Sequence, residues 1–288
     1  MSYLDRIAAC QAWRPERYRL FVIGGEPLGR VAHGFAKRLA DFPSVFQVSD
    51  RAVVLAPELA DVRSRTLAVA EVLGRLAEAG EIPGWRDEAY PITPRWGEPP
   101  RMTMERAAVP LFGCRAYGVH LNGLVSEGER TELWVAKRAQ TKATAPGKLD
   151  HLVAGGQPHG IGVRDNLIKE CAEEAAIPHA LARQAVPVGV VSYICERPEG
   201  LRDDVCFCYD LALPADFAPR NTDGEVAWFQ LWPMNQVLER LRDTEDFKFN
   251  CALVILDLAV RRGHLSAQDP DYTAIVHGLR LPDEVTVF

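Results

Sequence analysis

Three glutamates gather on one short stretch in the second half of the 288-residue chain. They are Glu170, Glu173 and Glu174, in the segment NLIKECAEEAAIP. Because a helix advances about 100° per residue, side chains three and four positions apart are direct neighbours. Leu167 and Cys171 fall on an adjoining apolar stripe that can pack on a sheet. The three carboxylates form either a solvated helix face or a set of oxygen ligands for a cation.

The segment before this helix favours the cation site. VAGGQPHGIG ends a predicted strand and places four glycines within eight residues. Glycine permits a tight backbone path and lets N–H groups approach a ligand closely. Mg²⁺ prefers hard oxygen donors, keeps several waters and is commonly shared with substrate phosphates. The strand end, the loop and the convergent carboxylates together predict a Mg²⁺ site.

This stretch resembles the Nudix box, whose pattern is G-x5-E-x7-R-E-U-x-E-E-x-G-U, with U an apolar residue. Matching positions run from Gly155 to Ile177 and include all three helix glutamates. Three positions depart: Ile161 replaces the first glutamate, Lys169 the arginine and Ala176 the final glycine. Lysine keeps the charge of arginine but not its planar fork. We expect the departures to alter loop capping and the orientation of the first helix glutamate more than metal binding.

The segments on either side of the box make the resemblance more specific, because they point to one branch of the family. LWVAKRAQTKATAPGKLDHLVAGG and DGEVAWFQLWPM are similar to a Nudix branch related to thiamine metabolism, whose members carry an extra N-terminal domain. In some eukaryotes the same module is fused to thiamine pyrophosphokinase. The branch is associated with hydrolysis of thiamine diphosphate and its damaged analogues to monophosphates. The resemblance covers residues 1–265.

The resemblance implies a metal-dependent hydrolase and assigns roles to the acidic residues. Nudix enzymes use Mg²⁺ or Mn²⁺, and Glu170, Glu173 and Glu174 are the expected metal ligands. The metal neutralises the diphosphate and lowers the pKa of bound water. Glu170 and Glu173 are also the expected catalytic residues, together with Glu225 in NTDGEVAWF. The alternative interpretation of Glu225 is a solvent-exposed acid at the entry of a strand.

The expected substrate contacts come from the glycine loop and from a local cluster of basic residues. Arg138 and Lys142 are candidates for binding the diphosphate, and Gly155 and Gly156 for approaching it through the backbone. A solvated surface role is the alternative for Lys142. His159, in the same loop, is equally typical of a phosphate contact and of a surface histidine.

The elements around the box predict an α+β protein: a Nudix-type mixed sheet sandwiched by helices, preceded by a smaller α/β N-terminal domain. The predicted accessory domain, residues 1–110, contains a helix over 28–39 after the turn GGEPLG. It ends in a connector over 82–110 that has six prolines and no predicted regular element. Residues 111–265 form the predicted Nudix domain, and 266–288 a C-terminal tail, expected to be irregular.

The composition of the chain indicates which binding partners and which cellular compartment to expect. A net charge of −6 argues against a protein that binds a nucleic-acid backbone. No apolar run approaches the about 20 residues that span a bilayer, and the N-terminus lacks a secretory apolar core. The seven scattered cysteines indicate buried free thiols in a reducing compartment. We therefore expect a cytoplasmic protein without membrane or nucleic-acid partners; the resemblance leaves a homodimer open.

The leading hypothesis is hydrolysis of a small-molecule diphosphate by water attack at phosphorus, the narrower candidates being thiamine diphosphate and its damaged analogues. A nucleotide-diphosphate pyrophosphatase acting on ADP-ribose or NADH is an alternative. An isopentenyl diphosphate isomerase would require Cys114 or Cys195 in the site. A Nudix-fold binding or regulatory module with decayed catalysis is the non-enzymatic alternative, to which Ile161 gives weight. The sequence leaves the exact substrate open.

Overall fold

The computed structural model describes residues 2–128, 130–142 and 144–281. The N-terminal part forms a four-stranded sheet with the order β2-β1-β4-β3. Its strands are β1 Tyr18–Ile23, β2 Glu26–Ala32, β3 Phe46–Val48 and β4 Ala52–Leu55. The helices packed with it are α2 His33–Leu39 and α3 Val62–Glu78, whereas the first helix, α1 Tyr3–Ala9, packs in a core of the second half of the chain. Only β1 and β4 run parallel in this sheet.

The helix predicted over 28–39 begins only at His33, because a β-hairpin precedes it. Gly24 and Gly25 both have positive φ, 58° and 88°, and close a tight turn between β1 and β2. Two consecutive glycines between apolar runs are a hairpin signal, since such turns require left-handed backbone. The turn GGEPLG therefore returns the chain alongside the first strand before the helix starts.

The connector contains a two-stranded antiparallel sheet that the sequence did not predict. It consists of β5 Ala89–Ile92 and β6 Met102–Glu105, followed by the short helix α4 Val109–Phe112. Alternate residues of both strands are buried, as in a sheet with one face on the core. These residues belong to the same hydrophobic core as the four-stranded sheet.

The second half of the chain forms a mixed seven-stranded sheet. Its strands are β7 Arg115–Glu127, β8 Arg130–Arg138, β9 Leu149–Asp150, β10 Val153–Gly156, β11 Val186–Arg197, β12 Gly200–Ala212 and β13 Val226–Pro233. The main order is β11-β12-β7-β8-β13, with β10 on β7 and β9 on β8. β7 and β12 are parallel and the other pairs are antiparallel. The predicted α+β class with a mixed sheet is confirmed.

Helices cover both faces of this sheet. They are α5 Val163–Ala175, α6 His179–Ala182, α7 Met234–Asp243, α8 Cys251–Arg261 and α9 Tyr272–Gly278. Along β7, Val119 and Leu121 share a core with α5, whereas Leu124 shares the opposite core with α8. Ile7 of α1 packs in that second core too.

The C-terminal segment is only partly as expected. The predicted irregular tail, 266–288, contains α9, whose Ile275 is buried; residues 282–288 of that tail lie outside the described residues. Across the described ranges, no helix combines the length and apolarity needed to cross a membrane. The domain boundaries at 110 and 265 stay predictions.

Candidate metal and diphosphate site

The helix α5 positions the three glutamates by burying its opposite stripe. Leu167 and Cys171 are fully buried against the mixed sheet, so the glutamates lie along the edge of that contact. The side chain of Glu170 is 13% exposed, whereas that of Glu173 is 49% exposed. The three carboxylates are therefore neighbours in the sequence pattern but differ in their access to solvent.

Glu170 lies against the glycine loop and beside a lysine. A Cβ atom on Gly155 would meet the Glu170 Cδ at 2.3 Å, so a side chain at position 155 would displace this carboxylate. Lys169 Nζ lies 2.8 Å from Glu173 Oε2 and 3.3 Å from Glu170 Oε1. Burial raises the pKa of Glu170, and the Lys169 charge opposes that rise. Lys169 thus places a positive charge between two of the predicted ligands.

Glu174 and Glu225 line one small cavity, together with Arg138 and Lys142. Glu174 accepts a hydrogen bond from the Ala154 N–H at 2.8 Å, and burial raises its pKa to about 8. Burial acts to raise the pKa of Glu225. The hydrogen bond from the Lys142 ammonium group outweighs this effect and keeps the Glu225 pKa below its usual range. The structure therefore brings Glu225 to the same cavity as a box glutamate.

Arg138 is engaged within the protein. Its Nη1 donates to Asp150 Oδ2 at 2.6 Å, and its Nη2 donates to the Thr144 carbonyl at 2.7 Å. Asp150 also pairs with Lys248 Nζ at 3.4 Å and accepts from Cys251 Sγ at 2.7 Å. Arg138 lines the cavity, but its described contacts are those of a residue that fixes the loop after β8.

A second group of ligand types surrounds Asp150. Ligand atoms of Asp150, His151 and Cys251 lie within 4.8 Å of one another. Burial lowers the pKa of His151 to about 4, which keeps the imidazole neutral, and Lys248 and Arg138 already balance the aspartate. A divalent ion here would face two resident cations, so the cluster fits a buried polar network better than a metal centre.

Two amides that the sequence analysis did not single out close the glycine loop. Gln157 Nε2 donates to the Ile161 carbonyl at 2.7 Å, and Asn166 Nδ2 donates to the Gly156 carbonyl at 2.7 Å. Both amide side chains belong to buried residues. In the sequence, the role of Gln157 and Asn166 is indicated only by their positions, one before and one after Gly160 and Gly162. The backbone of Ile161, not its side chain, takes part in this closure.

The two cysteines required by the isomerase alternative lie elsewhere. Cys114 belongs to the core of the N-terminal sheet and Cys195 to the core beneath α8. Burial raises the pKa of both thiols, that of Cys195 to about 11. Neither lines the cavity shared by Glu174 and Glu225. Cys114 does line a separate cavity with Gly155 and Gly156, but no box glutamate lines that cavity, so the geometry does not favour the isomerase hypothesis.

Comparison with known proteins assigns the family. Residues 2–116 match a domain of unknown function, DUF4743. The chain is 46% identical over 286 residues to Nudix hydrolase 24, chloroplastic, of Arabidopsis thaliana. The match covers 98% of this chain and 78% of that protein. The chain belongs to the Nudix hydrolase family. A second relative, Nudix hydrolase 20, chloroplastic, of the same plant, is 43% identical over 91% of this chain and 73% of its own length.

Membership of the Nudix hydrolase family confirms the predicted enzyme class. The two plant names locate those relatives in chloroplasts, and a cytoplasmic location stays a prediction for this chain. Among solved structures, the Nudix domain of Shewanella oneidensis NrtR, in complex with ADP ribose, is 15% identical over 52% of this chain and 90% of that chain, with a TM-score of 0.42.

Proposed function

We propose that this Nudix hydrolase cleaves a diphosphate linkage by water attack at phosphorus, with Mg²⁺ or Mn²⁺ held by Glu170, Glu173 and Glu174. The observation that supports this most is the shared cavity of Glu174 and Glu225 next to the glycine loop. The donor set fits a hard divalent ion, because every proposed ligand is a carboxylate oxygen. Glu174 in particular is a partly buried carboxylate: burial raises its pKa, and the nearby charges of Glu170 and Asp150 add to that rise, so a bound cation would stabilise its ionised form.

Each side chain has a distinct part in this proposal. A bound divalent ion would neutralise diphosphate charge and lower the pKa of the attacking water. Glu225, on the wall facing α5, orients the water or accepts its proton, which requires release from Lys142. Lys142 then becomes available for a phosphate oxygen. Gly155 and Gly156 contact the substrate through their backbone in this proposal, because their missing side chains make room for the Glu170 carboxylate and the Tyr90 hydroxyl.

We further propose thiamine diphosphate or a damaged analogue as the substrate, with the monophosphate as product. The support is the resemblance of the segments flanking the box to the thiamine-related branch. The N-terminal region, residues 1–110, is the extra domain that this branch would carry, ahead of a catalytic domain over 111–265. ADP-ribose and NADH are the competing substrates, and a homodimer stays part of the proposal.

A screen of diphosphates with Mg²⁺ and Mn²⁺ tests both the proposed reaction and the proposed thiamine substrate. Wild type, Glu173→Gln and Glu174→Gln are assayed for monophosphate release, with Glu239→Gln as the matched control on an exposed face of α7. We expect the box variants to lose activity and metal binding by titration calorimetry, and the control to keep both. Turnover of a nucleotide but of no thiamine compound would remove the narrower substrate. Activity that survives both box substitutions would refute the metal assignment.

A further inference from the structure

The connector sheet of β5 and β6 packs directly on the glycine loop of the Nudix box. The His159 N–H donates to the Ala89 carbonyl at 2.8 Å. The Tyr90 hydroxyl lies only 1.4 Å from where a Cβ on Gly156 would be, and Arg106 Cζ lies 3.4 Å from that point. An element from the N-terminal region therefore forms one wall of the space in front of the loop.

Glu105, at the end of β6, accepts hydrogen bonds from backbone N–H groups that precede β5 and that follow β6. Its Oε1 accepts from the Arg86 N–H at 2.9 Å and from the Ala107 N–H at 3.1 Å. Its Oε2 accepts from the Glu88 N–H at 3.2 Å. These bonds hold Arg86 and Arg106 at the same end of the two-stranded sheet, where both line one cleft.

The charges in this cleft are unequally balanced. Arg202 pairs with Glu199 at 3.6 Å and with Asp204 at 3.5 Å. Arg106 pairs with Glu88 at 2.8 Å, which leaves it further N–H donors on its five-donor fork. Among the ion pairs of the described residues, none involves the exposed guanidinium of Arg86. Within the part of the chain that the structure describes, the cleft thus presents one arginine without an ion pair and one partly engaged arginine.

Arg106 connects this cleft to the glycine loop. It lines the cleft with Arg86, and it also lines a second cavity together with Ala154, Gly155 and Gly156. Ala154 in turn lines the small cavity that contains Glu174 and Glu225. The side chain of Arg106 therefore borders both the cleft and the loop that leads to the predicted carboxylate ligands.

We propose that Arg86 and Arg106 form a diphosphate-binding subsite that the N-terminal region contributes to the Nudix active site. The subsite deepens the proposed function and rests on it. Its ligand class is a diphosphate group, because arginine presents paired N–H donors that match the spacing of phosphate oxygens. A diphosphate placed there lies next to Arg106, which also borders the glycine loop that precedes the metal-binding carboxylates. This explains why a proline-rich connector is anchored to the box loop.

The test compares Arg86→Gln with Arg63→Gln, which removes the same charge from an exposed site on α3. Magnesium pyrophosphate is titrated into protein at saturating Mg²⁺, and Mn²⁺ binding is measured separately. We expect Arg86→Gln to weaken pyrophosphate binding about tenfold, the effect of losing one charge-assisted hydrogen bond, while Mn²⁺ binding stays unchanged. Arg63→Gln should bind both as wild type does. Pyrophosphate binding by Arg86→Gln at wild-type strength would overturn the subsite.

A second variant covers Arg106, which also contacts Tyr90 and Glu88 and so supports the local structure. Arg106→Lys keeps the charge and loses the planar fork, and we expect weaker pyrophosphate binding and a higher KM with kcat little changed. A wild-type KM in this variant would overturn the role of Arg106. If the wild type hydrolyses no diphosphate, the proposed function fails, while the pyrophosphate titration of Arg86→Gln still decides the subsite.

Discussion

Glu174 is bound to the strand it faces: its carboxylate accepts the Ala154 N–H at 2.8 Å, which joins α5 to β10. Burial raises the Glu174 pKa to about 8 in the metal-free protein, well above the 4.5 of a free glutamate. The folded state therefore binds more protons than the unfolded state between these two values. The contribution of Glu174 to the free energy of unfolding therefore falls as the pH rises from 4.5 to about 8, and it does not change with pH below 4.5.

The consequence is a pH-dependent effect of Glu174→Gln. We expect this variant to raise the Tm of the metal-free protein at pH 8, where the wild type must bury a charge, and to change it little at pH 4.5. Thermal unfolding in EDTA at both pH values measures the difference. Glu239→Gln on α7 serves as the control and should show no such pH dependence. Equal Tm changes for Glu174→Gln at both pH values would contradict the burial of a costly carboxylate.

Ala176 ends α5 in the left-handed region, with φ 53° and ψ 32°, at the position where the Nudix pattern has glycine. A side chain with a Cβ is strained in that conformation by about 1 kcal/mol or more, and glycine is not. We expect Ala176→Gly to raise the free energy of unfolding by up to about 1 kcal/mol. Urea denaturation measures the change.

The matched control for this prediction is Ala172→Gly, in the exposed interior of the same helix. There glycine should cost about 1 kcal/mol, because it loses more backbone entropy on folding. The two substitutions introduce the same residue and should change stability in opposite directions. A loss of stability in both variants would mean that the strain at Ala176 is absent.

Gly155 controls the position of Glu170. A Cβ at Gly155 would come within 2.3 Å of the Glu170 Cδ, so Gly155→Ala must move the carboxylate or the strand end. Because a displacement of about 1 Å in a site can cost about 100-fold in rate, we expect kcat to fall by at least tenfold. Gly74→Ala on α3, with no atom within 4 Å of the added Cβ, should keep full activity. Full activity in Gly155→Ala would remove Glu170 from the catalytic set.

Local pattern was enough to predict the helix that carries the glutamates. The observed helix, Val163–Ala175, has its apolar stripe at Leu167 and Cys171, at the expected spacing. Its position after a strand and a glycine loop follows from residues that are adjacent in the chain. Glu225 was named by resemblance, and it lines the same cavity as Glu174 although the two residues are 51 positions apart by their numbers.

The missed features depend on contacts between distant segments. Prolines at 91, 94, 99 and 100 obscured the alternation of buried residues in β5 and β6, whose pairing only the folded chain reveals. Arg106 lies beside the glycine loop because that sheet packs on the loop, and no periodicity in the sequence reports such a contact. The engagement of Arg138 with Asp150 was hidden in the same way, since both residues look available in the linear sequence.

Because Arg138 forms an ion pair with Asp150, we expect its loss to lower the stability of the fold, in addition to any effect on substrate binding. Lys248 and Arg138 outweigh burial and lower the pKa of Asp150 below its usual range, so the aspartate is ionised in the folded protein. Removing one partner leaves a buried charge poorly balanced, which costs about 3–5 kcal/mol. We expect Arg138→Gln to lower the free energy of unfolding by that order. Lys142→Gln breaks an ion pair whose side chains are 16% and 32% exposed, so it should cost less stability than Arg138→Gln and should raise KM instead.

Ile161, the position at which the box lacks its first acid, should have little influence on activity. The loop is closed through the Ile161 carbonyl by Gln157, and through the Gly156 carbonyl by Asn166, so neither bond depends on the side chain at 161. We expect Ile161→Glu to change kcat/KM by no more than about threefold, the scale of an ordinary surface substitution. Asn166→Ala, in contrast, removes a buried amide and should destabilise the protein by about 1–3 kcal/mol while lowering kcat. A large gain of activity in Ile161→Glu would show instead that the missing acid limits this enzyme and that the two amides do not replace it.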